Sequence, residues 1–357
     1  MVSGSAFTQA RYKIKREFFS ELVNKTKVAY DQAPKKLWKG HRLIGVDGST
    51  LNLPPSQDIL NHFGLYAEND VKIKRALARV LFFYDTLNDF VVHGELSTMA
   101  IGEKTLLMKG LPEVKAANDI LILDRGFGHF CTMVELLNRG KKFCVRLPLC
   151  SKMAKRIMEG KRKDFVVKWE PSNKEKENCR KNGLAYNPIT IRLVKVTLKT
   201  GEIELLATNL IDQNIYTGKD MKDLYRYRWG IEEGFKKIKP KMKIEQFGCR
   251  KAEGIYQEFY AHIFCINMIS LAGSMANFLI QEKTKDRKKQ YKYNWQNAYR
   301  FLREKTTQLI MGRNTQEIID LLIDQIASSV IQISPGRKFV RDMRHKSKQR
   351  RINQFHK

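Results

Sequence analysis

Tyr225, Arg228, Glu232 and Lys239 stand at Tyr-x2-Arg-x3-Glu-x6-Lys spacing. At about 100° per residue, these four side chains fall within roughly 60° of one another on a helix. The neighbouring Glu233 points elsewhere, which singles out Glu232. A carboxylate flanked on one helix face by an arginine and a lysine suits chemistry on a nucleic-acid backbone, because both cations pair with phosphate oxygens. The competing reading of the same stripe is a solvated helix laced with ion pairs.

Two further acids follow apolar runs. Leu43-Ile44-Gly45-Val46 leads to Asp47 and then Gly48-Ser49, and Asp119-Ile120-Leu121-Ile122-Leu123 leads to Asp124. Both runs read as buried strands delivering an acid at their far end, the first of them into a turn. Strands joined by a crossover lie parallel, so such ends meet at one edge of a sheet. Three carboxylates with few soft donors among them suit hard divalent cations, Mg2+ or Mn2+, and two such ions about 4 Å apart can serve phosphodiester chemistry. Taken singly, Asp47 also reads as a turn acid and Asp124 as the partner of Arg125.

The elements that must hold these residues can be followed along the chain. Residues 1–40 read as a helix, with basic residues around Ile14, Phe18, Phe19 and Leu22, ending at Pro34. Ala76 to Tyr84 and Phe90 to Leu96 are β-rich runs joined by Asp85-Thr86-Leu87-Asn88-Asp89, a hairpin signal. A crossover helix is expected over 101–111, a helix from Phe130 to Asn138, and a strand from Lys142 to Leu147. Short β-like runs fill 149–216, where Asn173 to Asn187 is polar enough to predict a mobile loop. The helix carrying Glu232 should break near Pro240, and the rest should be helical as far as Pro335-Gly336. The fold class is therefore α/β, a mixed sheet with flanking helices, a β-rich insertion and helical N- and C-terminal parts. The expected divisions are 1–40, a core of 41–148 with 217–280, the insertion at 149–216, and a helical region with a basic tail at 281–357.

Composition narrows the partner. The 357 residues are 43% hydrophobic and 29% charged, with 66 Lys and Arg against 37 Asp and Glu, a net charge of +29. That excess marks a polyanion partner, and its spread over the whole chain favours nucleic acid over a membrane surface. Ile255 to Leu279 is interrupted by Gln257, Glu258, His262, Asn267 and Asn277, so it reads as a buried helix. Six cysteines show neither Cys-x-x-Cys pairing nor zinc spacing, and the first residues lack the apolar stretch of a signal peptide, so a cytoplasmic protein is expected.

Taken in order, the blocks Ile44 to Ser49, Ile122 to Phe127 and Tyr225 to Lys239 resemble the three motif regions of DDE transposases of bacterial insertion sequences, the IS-four family. The resemblance runs from about residue 40 onward. It implies an RNase H-like core interrupted by a β-rich insertion between the second Asp and the Glu. It also implies that Asp47, Asp124 and Glu232 are catalytic metal ligands, and that Tyr225, Arg228 and Lys239 contact DNA phosphates. Cut-and-paste transposition with Mg2+, action on terminal inverted repeats and target DNA, and a homodimer on paired ends follow from the same likeness. Related enzymes hold a flipped base on an aromatic residue, a role open to Trp169, which otherwise reads as a half-buried strand aromatic. His129 is read as a helix-start residue rather than a site residue, and Arg125 as a partner of Asp124 or of a phosphate. Family members often carry a longer N-terminal region for end recognition, so the alternative expectations are an inactive, truncated DNA-binding remnant of such an element or a related metal-dependent nuclease. The tail from Arg337 to Arg351 holds eight basic residues, fitting either DNA contact or a disordered segment.

Overall fold

The computed structural model describes residues 3–67, 74–150, 152–198, 201–312 and 314–334. The basic tail lies outside them. The N-terminal stretch forms two helices rather than one, α1 (Gly4–Arg11) and α2 (Arg16–Gln32), with a break before Lys15. Ser3 caps the first, its side chain accepting from the Ala6 backbone N–H at 3.2 Å.

The core follows as β1 (Arg42–Asn52), α3 (Gln57–Phe63), β2 (Leu65–Ala67), β3 (Lys74–Asp85), β4 (Phe90–Thr98), α4 (Glu103–Gly110), β5 (Asp119–Leu123), α5 (Phe130–Asn138) and β6 (Lys142–Arg146). β3 and β4 form the expected hairpin, pairing antiparallel from Ala78 opposite Thr98 to Asp85 opposite Phe90. Its turn is organised by Asp85, which is fully buried. Its carboxylate accepts from the Tyr30 hydroxyl at 2.6 Å and from the backbone N–H groups of Leu87 and Asn88. β1, β5 and β6 run parallel to one another, with β3 antiparallel to β1 on the other side. This mixed sheet is the arrangement expected of the fold class.

β1 does not end at Asp47. The strand continues through Gly48 and Ser49 to Asn52, because these residues pair with Leu81, Val80 and on to Leu77 of the long strand β3. The parallel partner is what stops: the β1–β5 register ends at Val46 opposite Leu123. Asp47 is thus interior to its own strand yet sits where the neighbouring strand gives out, one step from Asp124.

The segment 149–216 contributes α6 (Lys152–Glu159), β7 (Asp164–Trp169), α7 (Asn173–Lys181), β8 (Ile189–Thr197) and β9 (Ile203–Thr208). Its strands join the free edge of β6 through β9, so they extend the core sheet, in the order β2-β3-β1-β5-β6-β9-β8-β7 with β4 also on β3. The expected mobile loop at Asn173 is instead a helix as far as Lys181. Ser172 and Glu175 close a capping box there, each side chain bonding the other's backbone N–H, and Cys179 is buried. Polarity alone hid this helix, whose apolar contact rests on few residues.

Chain order then gives α8 (Gly218–Arg226), α9 (Trp229–Lys236) running into a π-helical turn at Lys237–Lys241, α10 (Ala252–Thr284), β10 (Tyr291–Tyr293), α11 (Trp295–Met311), α12 (Thr315–Ser328) and β11 (Val330–Gln332). Pro240 lies inside the widened turn, where the chain leaves the helix as expected of a residue lacking an N–H. α10 is long and apolar enough to cross a membrane by length and composition, but it is a core helix here. Ile255, Phe259, Ile263, Ile266, Ile269, Ala276 and Ile280 are buried against the sheet and the C-terminal helices. Its interrupting polar residues are used. Asn267 is fully buried, accepting from the Val91 N–H at 2.9 Å and donating to the Val91 carbonyl and to Thr26 Oγ1. Gln257 Oε1 accepts from Arg11 Nε at 3.1 Å, and Glu258 pairs with the same guanidinium at 2.7 Å.

Candidate active site

Strand and helix supply the acids separately. Asp47 on β1 and Asp124, just past the end of β5, stand side by side at one edge because the two strands are parallel and in register. Behind Asp124 the chain makes a 3-10 turn, Arg125–Phe127, instead of continuing the strand. Glu232 comes from the first turn of α9.

What lets α9 lie close to the sheet is small residues. A Cβ at Gly230 would meet Thr86 Cβ at 2.7 Å and the Thr86 carbonyl at 3.2 Å, and one at Gly234 would meet the Tyr84 ring at 3.0 Å. From the strand side, a Cβ at Gly45 would come within 3.3 Å of Ile231 Cβ. Contact at this range brings the start of α9 over β1, with Ile231 buried as the anchor.

Arg228, in the short turn between α8 and α9, is the group the three acids share. Its guanidinium is buried, pairs with Glu232 at 3.0 Å, and lowers the proton affinity of both Asp47 and Asp124. Asp47 is nevertheless raised to about 6, chiefly because burial disfavours its charge; its Gly48 N–H and Arg228 oppose this, while Asp124 and Glu103 add to it. Asp124 goes the other way. Burial alone would raise it, but the Arg125 N–H, Arg146 and Arg228 together hold it below the usual carboxylate range. The Tyr225 hydroxyl reaches Asp124 Oδ1 at 3.3 Å, and its ring is buried rather than turned to solvent.

The residues predicted from spacing are therefore not equally placed. Asp47, Asp124, Tyr225, Arg228 and Glu232 are brought into one electrostatic cluster. Lys239 is carried beyond it by the π-helical turn and donates to the Thr50 carbonyl of β1. Glu233 is exposed and pairs with Lys236. Trp169, expected to be a half-buried strand aromatic, is buried more deeply than that, with its ring edge-on to Phe130 of α5. Another tryptophan is exposed at the site: Trp229 carries the Arg228 guanidinium 5.0 Å from its ring centroid.

Two residues at the site escaped the spacing argument. Arg146, at the end of β6, donates to Asp124 Oδ1 at 2.7 Å and to Glu204 of β9 at 2.6 Å. It, not Arg125, is the side-chain partner of Asp124. The signal was its position, the last residue of a third parallel strand ending at the same edge. Glu103, at the start of α4, lies against Gly48 so closely that a Cβ there would meet its carboxylate oxygen at 2.3 Å.

The family described as the transposase DDE domain matches residues 38–268, a span that begins before β1 and ends inside α10. The chain belongs to that family. This DDE-domain protein is 25% identical over 274 residues to "Transposase InsG for insertion sequence element IS4" of Escherichia coli (strain K12), an alignment covering 75% of this chain. The chain spans about 60% of the length of that relative. Among solved structures, that of the piggyBac transposase synaptic complex with hairpin DNA aligns with 83% of this chain and 59% of its own, at 11% identity and a TM-score of 0.45.

Membership in the DDE family implies a divalent metal. The candidate acids agree in chemistry, all being carboxylates, with Asp47 on β1 and Asp124 just past β5 both partly desolvated. The arrangement agrees less well: among the described residues, no three His, Cys, Asp or Glu side chains are grouped to hold one ion. Glu232, the third acid expected there, is bonded to Arg228 instead.

Proposed function

We propose that this protein is a transposase that cuts and joins DNA at the ends of an insertion sequence, with Asp47, Asp124 and Glu232 as the acids of the reaction. The observation that carries this reading is the adjacency of Asp47 and Asp124 just where the parallel register of β1 and β5 stops, with Glu232 joined to them through Arg228. Mg2+, with Mn2+ as substitute, would be held by these carboxylates and would supply charge neutralisation at the scissile phosphate and activation of the attacking oxygen.

The chain's own residues do the rest. Arg146 fixes the carboxylate of Asp124 through one nitrogen while Glu204 holds the other end of its guanidinium. Arg228 neutralises the acids, and released from Glu232 its fork would be available to a phosphate. Tyr225 steadies Asp124, and Lys239 and Trp229 flank the helix on which DNA would lie. DNA is the partner, consistent with a net charge of +29. A homodimer on paired ends and a cytoplasmic location belong to the same reading and rest on the family likeness.

The test is incubation of the protein with Mg2+ and end-labelled DNA carrying an element end with its flank. Nicking at the end followed by a hairpin or a joined product is expected, and chelator should stop it. A second reading, a DNA-binding protein without activity, is favoured by the closed Arg228–Glu232 pair and the lack of a three-ligand group among the described residues. It is the right one if the same DNA is bound and never cut at any concentration of Mg2+ or Mn2+.

A further inference from the structure

Away from the acids, two sulfurs meet where the β-rich segment touches the core. Cys131 is the second residue of α5, and Cys179 is in the last turn of α7. Their Sγ atoms are 2.9 Å apart, within hydrogen-bonding range and unbonded, and Cys131 also donates to the Glu175 carbonyl at 3.6 Å. The two are unequal. Cys131 is partly exposed and lines a surface cleft of about 310 Å³ together with Lys104, Met108, Glu135 and Leu184. It occupies the first turn of its helix and faces the cleft beside Lys104, open to a reagent from solvent. Cys179 is fully buried behind it, and burial, followed by its bond to Cys131, keeps its thiol protonated.

We propose that Cys131 and Cys179 are a reactive and a resolving thiol, which a low-molecular-weight disulfide of the glutathione type converts into an intramolecular bond between α5 and α7. In the first step the Cys131 thiolate, entering from the cleft, attacks one sulfur of the reagent. A mixed disulfide forms and one reagent thiolate leaves. Cys179 then loses its proton and attacks the Cys131 sulfur, expelling the second reagent thiolate. Both released thiolates take up the protons shed by the two cysteines. The protein loses two electrons and two protons, and one reagent disulfide becomes two thiols. The bond would tie the helix at Asn173–Lys181 to the core and bring this face under the control of the glutathione pool.

The experiment treats the full chain with oxidised glutathione under native conditions, alkylates the remaining thiols and maps the peptides. Cys131 and Cys179 should both become protected from alkylation and appear as one linked peptide that dithiothreitol releases. Cys144, buried in β6, should stay free, and a glutathione adduct on the exposed Cys150 shows that reagent reached the protein. With Cys179→Ser, the adduct on Cys131 should accumulate instead of resolving. The proposal is overturned if Cys131 and Cys179 remain alkylatable once Cys150 carries glutathione, or if wild-type Cys131 keeps a stable adduct. The wild-type map decides this whether or not the variant folds.

Discussion

Glu232 and Glu233 are adjacent in sequence and differ in everything that matters for chemistry. One is held by buried Arg228 beside Asp47 and Asp124, the other is exposed against Lys236. Glu232→Gln should therefore abolish metal-dependent cleavage, a loss of at least about a hundredfold, while Glu233→Gln keeps most of it. Equal rates for the two variants in a strand-cleavage assay would remove Glu232 from the site. Arg228→Ala and Lys239→Ala should each lower the slope of log affinity for DNA against log salt by about one. A slope equal to wild type for both would show that neither meets a phosphate. At this scale the sequence was informative wherever periodicity spoke: the helical stripe separated Glu232 from its neighbour before any fold was known. It did not single out Arg146 or Glu103, because the first nears the acids only through the order of the strands and the second only through the packing of α4 on β1. Spacing also gave the face that Tyr225 shares but not its depth, a buried ring with its hydroxyl on Asp124.

Elements were legible in proportion to their apolar content. β5 and the β3–β4 hairpin are where unbroken or bounded hydrophobic runs put them, and α5 spans Phe130–Asn138 as its pattern required. The extent of β1 beyond Asp47 was not readable, because only its long partner β3 shows that Gly48 and Ser49 remain paired. Nor was α7, a helix that its capping box defines better than its hydrophobicity does. The approach of α9 to the sheet is the element-level feature on which the site depends. Gly230→Ala puts a methyl group into Thr86, whose Cβ and carbonyl are both within reach. The helix should back away and take Glu232 with it. Destabilisation of about 1–3 kcal/mol in urea melts is expected, with cleavage falling further than the fraction unfolded explains. Unchanged melting and unchanged cleavage would mean that the helix has room to spare.

Over the whole molecule, one sheet runs from β2 to β7, and helices from opposite ends of the chain cover it. Asn267 of α10 ties three pieces together, bonding the Val91 backbone of β4 and Thr26 of α2 from a position shut off from water. Asn267→Ala leaves those backbone groups unpaired and should cost about 1–3 kcal/mol, measured by equilibrium unfolding. A variant as stable as wild type would show that water or a rearranged strand replaces the amide. The same helix binds the first one through Arg11, whose guanidinium meets Gln257, Glu258 and the Gly254 carbonyl some 240 residues away. A chain emerging from the ribosome at roughly 5–20 residues per second makes α1 and α2 long before α10 exists to receive them. The buried face of α2, Val23 with Thr26, must wait for its cover until synthesis has passed α10, so this part of the architecture can close only then. A pause or premature stop before residue 252 would leave those two helices without the surface they are built to cover.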